Sequence, residues 1–181
     1  IDNLYPIEHW PELFNNKKII ARLDPGQGYG HHKHVCTAGS ISKFGIPMTQ
    51  FEQLLTLTKQ HHIEVVGLHA HTGSGILTPQ IWQHTAQFLI GLSTHFPQLR
   101  QINIGGGLGI PEKPHQHDLD LATLDELLLE VKTQAPQLQF WLEPGRFLVA
   151  QAGVILSKVT QIKTKDDVHF IGIDTGMNSL I

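Results

Sequence analysis

The sequence has little cysteine, little net charge and no long apolar segment, and each shortage excludes a class of protein. The single cysteine, Cys36, rules out an intramolecular disulfide framework and fits a reducing, cytoplasmic compartment. The formal net charge of −3 gives no reason to expect a nucleic acid or an anionic membrane as partner. No apolar run approaches the ~20 residues of a membrane span, and no signal peptide is visible. The remaining composition is that of an ordinary globular protein.

The two ends of the chain have an unusual character. The sequence starts at Ile1 rather than at a methionine, and it stops at Ile181 soon after an apolar run and a glycine-containing turn. The C-terminal end carries no polar tail. We therefore expect the chain to be an internal piece of a longer protein.

Four short apolar runs predict the strands of a parallel sheet. Each run contains β-branched or aromatic residues, and glycine or proline follows it within a few residues. Longer segments with helical spacing of apolar residues lie between the runs. The four predicted strands are residues 18–22, 64–69, 101–104 and 139–143.

Three helices are predicted between these strands. A capping box of Thr49 and Glu52 starts the first, Thr78 as N-cap before Pro79 starts the second, and Asp120 starts the third. The alternation of strands and helices implies βαβ units and an α/β fold with a parallel sheet. Four strands cannot close a (β/α)8 TIM-type barrel, but they can form half of one.

The pattern of elements changes near residue 150. Residues 154–162 and 168–173 resemble two strands with no helix between them. We therefore predict two parts: a partial (β/α) barrel over residues 1–150 and the beginning of a β-rich C-terminal domain over residues 151–181.

Polar residues follow the first two predicted strands, where parallel α/β folds place their active groups. Arg22 can face a ligand anion or form a structural ion pair. His69 and His71 are two residues apart, so both point to one face of a strand. They can bind a metal, stack on a flat cofactor ring, or form a buried hydrogen-bonded pair. Ser74 lies between two glycines in a turn that suits a phosphate.

The third and fourth strands end in a glycine run and in a charged pair. Gly105, Gly106 and Gly107 allow backbone N–H groups to converge on an anion, although a plain tight turn is the alternative. Their spacing matches neither a nucleotide P-loop nor a dinucleotide-binding fingerprint. Glu143 and Arg146 can pair with each other. Alternatively, the carboxylate holds a protonated ring nitrogen while the guanidinium holds a phosphate or carboxylate.

The four strand ends together describe a ligand with a phosphate, a flat ring and a basic ring nitrogen. Pyridoxal 5′-phosphate has all three features. Its chemistry requires a protonated ring nitrogen, because the ring then accepts electrons from a carbanion. The sequence therefore predicts pyridoxal phosphate as the cofactor.

The same segments resemble a known family. The motifs His-x-Gly-Ser-Gly at residues 71–75, Gly-Gly-Gly-x-Gly at 105–109 and Glu-Pro-Gly-Arg at 143–146 are similar to those of the alanine-racemase-like decarboxylases. These pyridoxal-phosphate enzymes act on diaminopimelate, ornithine or arginine. The combination of motifs in this order is specific, although each motif alone is not.

Further segments resemble the diaminopimelate branch of that family. They lie at residues 42–45, 103–107 and 174–178. The histidine-rich stretch at residues 24–32 resembles the form of the enzyme that is fused to an aspartate kinase. The resemblance covers the chain from residue 22 to residue 181.

The resemblance implies a fold, an assembly and a reaction. The fold would be the C-terminal half of a (β/α)8 barrel followed by the start of a β-rich domain. The assembly would be a homodimer with shared active sites. The reaction would be the decarboxylation of meso-2,6-diaminopimelate to L-lysine, with an ornithine- or arginine-type decarboxylase as the alternative.

The resemblance also implies a role for each matching residue. His71 would stack on the cofactor ring and Glu143 would bind the pyridine nitrogen, which makes these two the catalytic candidates. Arg146 would lie near the phosphate and the substrate carboxylate, and Arg22 would lie in the same pocket. The remaining predicted cofactor-binding residues come from the glycine-containing turns: Ser74, Gly105, Gly106, Gly107 and Gly145.

The sequence departs from the family pattern in one important respect. The lysine that carries the cofactor lies in a Tyr-Ala-x-Lys-Ala-like stretch in the family, and this sequence has no such stretch. Lys43 lies in a loop and matches a different motif, and Cys36 does not match the family's second-domain cysteine. We therefore expect the chain to hold part of an active site and to be inactive alone.

Two rival interpretations remain. A metal-dependent hydrolase would use His69 and His71, but the later strand ends carry glycines and Glu-Pro-Gly-Arg instead of further ligands, so no metal site is predicted. A non-catalytic regulator could have kept the fold and lost the cofactor lysine. The other histidines considered as metal donors are better explained as solvated loop residues: His31, His32, His34, His115 and His117.

Overall fold

A computed structural model of the chain describes residues 1–26, 29–30 and 42–179. The chain divides into two compact units, Ile1–Leu148 and Val149–Ile181. Most of the histidine-rich loop, with His31, His32, His34 and Cys36, lies outside the described residues.

The four strands and three helices that the sequence predicts for the first part occur in the predicted alternating order, and further short strands and helices that were not predicted lie among them. The helices are α1 (Tyr5–His9), α2 (Phe51–Gln60), α3 (Gln80–Gly91), α4 (Leu121–Gln134) and α5 (Arg146–Val149), with short 3-10 turns at Pro11–Leu13, Met48–Gln50 and Ser93–His95. The strands are β1 (Lys18–Asp24), β2 (Tyr29–Gly30), β3 (Ile46–Pro47), β4 (Glu64–His69), β5 (Gly73–Ser74), β6 (Gln101–Asn103), β7 (Gln139–Trp141), β8 (Val159–Lys165) and β9 (Val168–Ile173).

A five-stranded parallel sheet forms the centre of the first unit. Its strand order is β3-β1-β4-β6-β7, so the four predicted strands are neighbours in the order of the sequence. Helices connect β4 to β6 and β6 to β7, which gives repeated βαβ units. The predicted α/β class with a parallel sheet is confirmed.

The helices α2, α3 and α4 pack their apolar faces on this sheet. Full burial of an aliphatic or aromatic side chain contributes about 1.5–3 kcal/mol, so these contacts dominate the stability of the unit. The largest completely buried side chains come from both layers: Leu23, Leu68, Ile102 and Ile104 from the sheet side, and Leu54, Trp82, Leu89 and Val131 from the helices.

The predicted helix starts are correct in one case and wrong in two. Asp120 caps α4, and its carboxylate accepts a hydrogen bond from the Thr123 N–H at 3.0 Å. The capping box at Thr49 does not form, because a 3-10 turn precedes α2 and places Gln50 at the cap position. The cap of α3 is Pro79, one residue after the predicted Thr78, and it makes no side-chain cap hydrogen bond.

The second unit is built on an antiparallel hairpin. Strands β8 and β9 pair from Val159 with Ile173 to Lys165 with Val168, and Asp166 at the turn adopts a positive φ of 52°. The first of these strands begins five residues later than its predicted start at Val154. Within the described ranges, no helix is long and apolar enough to cross a membrane.

Candidate active site at the strand ends

The ends of the parallel strands bring the predicted site residues to one edge of the sheet. The hydrogen-bond ladder continues beyond the strands: the Ala70 N–H donates to the Asn103 carbonyl at 3.0 Å, and the Glu143 N–H donates to the Gly105 carbonyl at 2.9 Å. Register pairing also places Arg22 on β1 beside His69 on β4. The sheet therefore fixes the backbone of several predicted residues before any side chain is considered.

Within the described part of the chain, one oxygen of the Glu143 carboxylate accepts a hydrogen bond and the other does not. Its Oε1 accepts a hydrogen bond from the Asn103 amide Nδ2 at 2.7 Å. Its Oε2 faces His69 Nε2 at 3.8 Å, which is beyond hydrogen-bond length. The side chain is 53% exposed, so the carboxylate remains accessible to a ligand.

His69 is the most strongly perturbed titratable group of the site. Its pKa is lowered to about 4, chiefly because burial desolvates the ring; the charges of Arg22 and His71 contribute to the shift, and Glu143 opposes it. Its Nε2 is buried and has no hydrogen-bond partner among the described residues. His69 is therefore a neutral imidazole at physiological pH.

His71 lies beside the glycine loop. Its Nδ1 accepts a hydrogen bond from the Gly106 N–H at 3.2 Å. Because a backbone N–H can only donate, Nδ1 carries no proton and the neutral ring holds its proton on Nε2. Burial lowers the pKa of His71, and the charge of Arg22 lowers it further while Glu143 opposes the shift. The ring is thus oriented by the loop, and it stays uncharged.

The glycine loop occupies space that no side chain can enter. Gly105 and Gly107 adopt positive φ angles of 72° and 85°, which favour glycine. A Cβ at Gly105 would lie 2.7 Å from the Ala70 carbonyl oxygen, and a Cβ at Gly106 would collide with the Glu143 carbonyl oxygen. A hydrogen bond from α3 also fixes the loop, because Trp82 Nε1 donates to the Gly106 carbonyl at 3.0 Å.

Arg146 joins two turns of the site. Its guanidinium donates from NH2 to the Ser74 hydroxyl at 3.0 Å and from NH1 to the Glu112 carboxylate at 3.0 Å. Its side chain is half exposed. Gly145 lies in the turn before it, with open space where a Cβ would stand. The pair of Arg146 and Ser74 thus offers hydrogen-bond donors to an anion.

Arg22 has its own partners and acts on the site through its charge. Its guanidinium forms an ion pair with Asp2 at 3.2 Å and lies over the Phe44 ring at 4.9 Å. Lys43 lies near the same ring at 5.4 Å. The direct effect of Arg22 on the site is electrostatic, because its charge lowers the pKa of His69 and of His71.

Two residues of this arrangement were not predicted as site residues. Asn103 was noted only as part of a family-like segment, and Glu112 was not considered. An asparagine two residues before a glycine run was the available signal for the first, whereas Glu112 lies in a loop without a recognisable pattern. Among the described residues, no group of three or more His, Cys, Asp or Glu side chains could hold a metal ion.

Comparison with known proteins identifies the family of this chain. The family described as pyridoxal-dependent decarboxylase, pyridoxal binding domain, matches residues 1–150. The chain belongs to this family. The α/β unit therefore corresponds to the pyridoxal-binding domain of this family.

Related pyridoxal-dependent decarboxylases include several diaminopimelate decarboxylases. That of Escherichia coli (strain K12) is 31% identical over 169 residues, which cover 91% of this chain and 40% of the enzyme. That of Methanothermobacter thermautotrophicus is 33% identical over 177 residues, with 91% and 41% covered. The chain thus spans about 40% of the length of these relatives.

A solved structure from the family has the same fold. The crystal structure of diaminopimelate decarboxylase from Helicobacter pylori, complexed with L-lysine, matches with a TM-score of 0.71 and 26% identity, over 89% of this chain and 41% of that chain. The predicted fold class, part of a (β/α)8 barrel followed by the start of a β-rich segment, is confirmed.

Proposed function

We propose that a protein containing this chain is a pyridoxal 5′-phosphate-dependent decarboxylase that converts meso-2,6-diaminopimelate to L-lysine. The observation that carries this proposal is the exposed Glu143 carboxylate, fixed by Asn103 at 2.7 Å on the same sheet edge as His71 and the pair of Ser74 and Arg146. The similarity to diaminopimelate decarboxylases over 91% of the chain supports this substrate.

The residues at the strand ends fit a phosphorylated pyridoxal. The glycine loop packs against the backbone of Gly73 and Ser74, and Ser74 and Arg146 provide hydrogen-bond donors beside it. Ser74, Gly105, Gly106, Gly107, Gly145 and Arg146 would hold the phosphate, Glu143 the pyridine nitrogen, and His71 the face of the ring. Arg22 would contribute positive charge to the same pocket.

Pyridoxal phosphate, when bound, supplies a ring that accepts the electrons released as the carboxylate leaves. The protein's own part is electrostatic and positional. Glu143 would hold a proton on the ring nitrogen, since a carboxylate stabilises a cationic partner. His69 and His71 are neutral, so neither adds a positive charge that would compete with that proton. Arg146 would also orient a carboxylate of the substrate, because a guanidinium binds planar anions with two parallel hydrogen bonds.

The remaining predictions belong to the same proposal. Residues 1–150 would form the partial cofactor-binding barrel and residues 151–181 the beginning of a C-terminal β domain. The protein would be a cytoplasmic homodimer with shared active sites, and its cofactor lysine would lie outside this chain. The chain alone would be inactive, because no residue in it matches that lysine.

The test is release of carbon dioxide by the full-length protein, with and without pyridoxal phosphate, from meso-diaminopimelate, ornithine and arginine in parallel. Preferential release from meso-diaminopimelate supports the proposal. Preference for ornithine or arginine retains the family and overturns the substrate. A failure to bind the cofactor and to release carbon dioxide from all three would favour a non-catalytic protein.

A further inference from the structure

Three hydrogen bonds form a closed ring between Asn103, Gly105 and Glu143. Asn103 Nδ2 donates to Glu143 Oε1 at 2.7 Å, and Asn103 Oδ1 accepts from the Gly105 N–H at 2.9 Å. The Glu143 N–H in turn donates to the Gly105 carbonyl at 2.9 Å. The glycine loop and the carboxylate are therefore linked through a single side chain.

The orientation of the Asn103 amide follows from this ring. The Gly105 N–H can only donate, so the amide atom that faces it must be the oxygen. The amide nitrogen then faces Glu143. The backbone of Asn103 is paired with His69 on β4 and with Trp141 on β7, and the residue is 8% exposed. Its side chain thus projects from a fixed point.

Other groups near Glu143 do not provide the same contact. His69 Nε2 lies 3.8 Å from Oε2, too far for a hydrogen bond. Burial lowers the pKa of His69 to about 4, so its ring is uncharged at physiological pH and adds no ion pair. Arg146 is engaged with Ser74 and Glu112. Asn103 is the described residue that fixes the direction of the Glu143 carboxylate.

We propose that Asn103 is a positioning residue of this site: its amide aligns Glu143 for the cofactor ring nitrogen and couples that alignment to the glycine loop. The inference rests on the proposed function, because it assumes that Glu143 contacts the ring. If Asn103 served only as an acceptor for the Gly105 N–H, the Asn103→Asp variant would keep the kcat of the parent protein.

The discriminating variant is Asn103→Asp in the full-length protein, compared with Asn103→Ala. Aspartate keeps the acceptor for the Gly105 N–H but replaces the donor to Glu143 with a second carboxylate. We expect kcat to fall about ten- to a hundredfold with little change in KM, since one hydrogen bond to a charged group is lost. The kcat of Asn103→Ala should fall less than that of Asn103→Asp, because alanine removes the donor without placing a second carboxylate beside Glu143. An Asn103→Asp variant with the kcat of the parent, together with an impaired Asn103→Ala variant, would overturn the proposal.

Asn15→Asp is the matched control. Asn15 is exposed, precedes β1 at the opposite end of the sheet and interacts with His61 Nδ1 through its Oδ1 at 3.1 Å. The substitution adds the same charge as Asn103→Asp, so unchanged kcat in this variant attributes the effect to the position and not to the net charge.

A double-mutant cycle tests the contact without any substrate. In a Glu143→Gln background, the new amide can donate to Asp at position 103, so Asn103→Asp should shift the urea midpoint of unfolding much less than it does beside Glu143. An equal shift in the two backgrounds would refute the coupling. This readout requires no decarboxylation, so it judges Asn103 even if the substrate assay overturns the proposed function.

Discussion

Gly106→Ala should destabilise the protein strongly, although the backbone of Gly106 lies outside the left-handed region. A Cβ at this position would collide with the Glu143 carbonyl oxygen and lie 3.1 Å from the Glu143 carbonyl carbon. These are backbone atoms at the end of β7, so no flexible side chain can move aside. The added methyl group would have to push the ends of β6 and β7 apart, which distorts the hydrogen bond from Trp82 Nε1 to the Gly106 carbonyl.

The magnitude follows from two losses. Overpacking costs about 1–3 kcal/mol, and the weakened Trp82 hydrogen bond adds about 0.5–1.5 kcal/mol, so the free energy of unfolding should fall by about 1.5–4.5 kcal/mol. Urea unfolding of the full-length protein, followed by circular dichroism, measures this change as a lower midpoint at an unchanged slope.

Gly91→Ala is the control for this substitution. Gly91 ends α3 and has open space where a Cβ would stand. Alanine there should leave the stability unchanged or raise it by about 0.5–1 kcal/mol, since glycine is a poor helix former. Equal stability of the Gly106→Ala and Gly91→Ala proteins would refute the argument that the glycine loop is sterically closed.

Three further predictions concern charge. Glu143→Gln should lower turnover by at least about a hundredfold, as measured for removal of a single stabilising group from other active sites, while absorbance of the bound cofactor persists. Arg146→Lys should weaken binding of pyridoxal phosphate about tenfold or more in a titration, because lysine lacks the forked donors of the guanidinium; unchanged affinity would remove Arg146 from the phosphate site. The third concerns pH: the pKa of His69 is about 4 in the folded protein and 6.5 ordinarily, so the unfolded chain binds the proton first as pH falls. The stability that His69 contributes is therefore complete above pH 6.5 and is lost towards pH 4, by up to about 2 kcal/mol at pH 5. His69→Gln should flatten this dependence in urea unfolding at pH 7 and 5, whereas the exposed His117→Gln should not; equal pH dependence in both variants would contradict the burial argument.

The four longer strands of the central sheet were predictable because each leaves a strong local signal, whereas the two-residue strands β2, β3 and β5 were not predicted. A run such as residues 64–69 combines apolar residues with a following glycine turn, and it forms β4 with the predicted bounds. Helix starts were less predictable, because a cap depends on backbone geometry. Thr49 has the right neighbour in Glu52, but the chain forms a 3-10 turn there and the cap hydrogen bond is not made.

The composition of the site was partly predictable for a similar reason. The sequence motifs consist of residues that directly follow strands. Because the strands are parallel, these residues lie at the same edge of the sheet. The contacts between them are long-range: Asn103 meets Glu143 across 40 positions and Arg146 meets Glu112 across 34. No local pattern specifies such a pair, so the roles of Asn103 and Glu112 became visible only in the fold.

The most direct test of the account is a crystal structure of the full-length protein with pyridoxal phosphate. The account predicts the pyridine nitrogen within hydrogen-bond distance of the Glu143 carboxylate, and the phosphate against Ser74, the glycine loop and Arg146. A cofactor bound away from these strand ends, or a ring nitrogen that faces another residue, would contradict it.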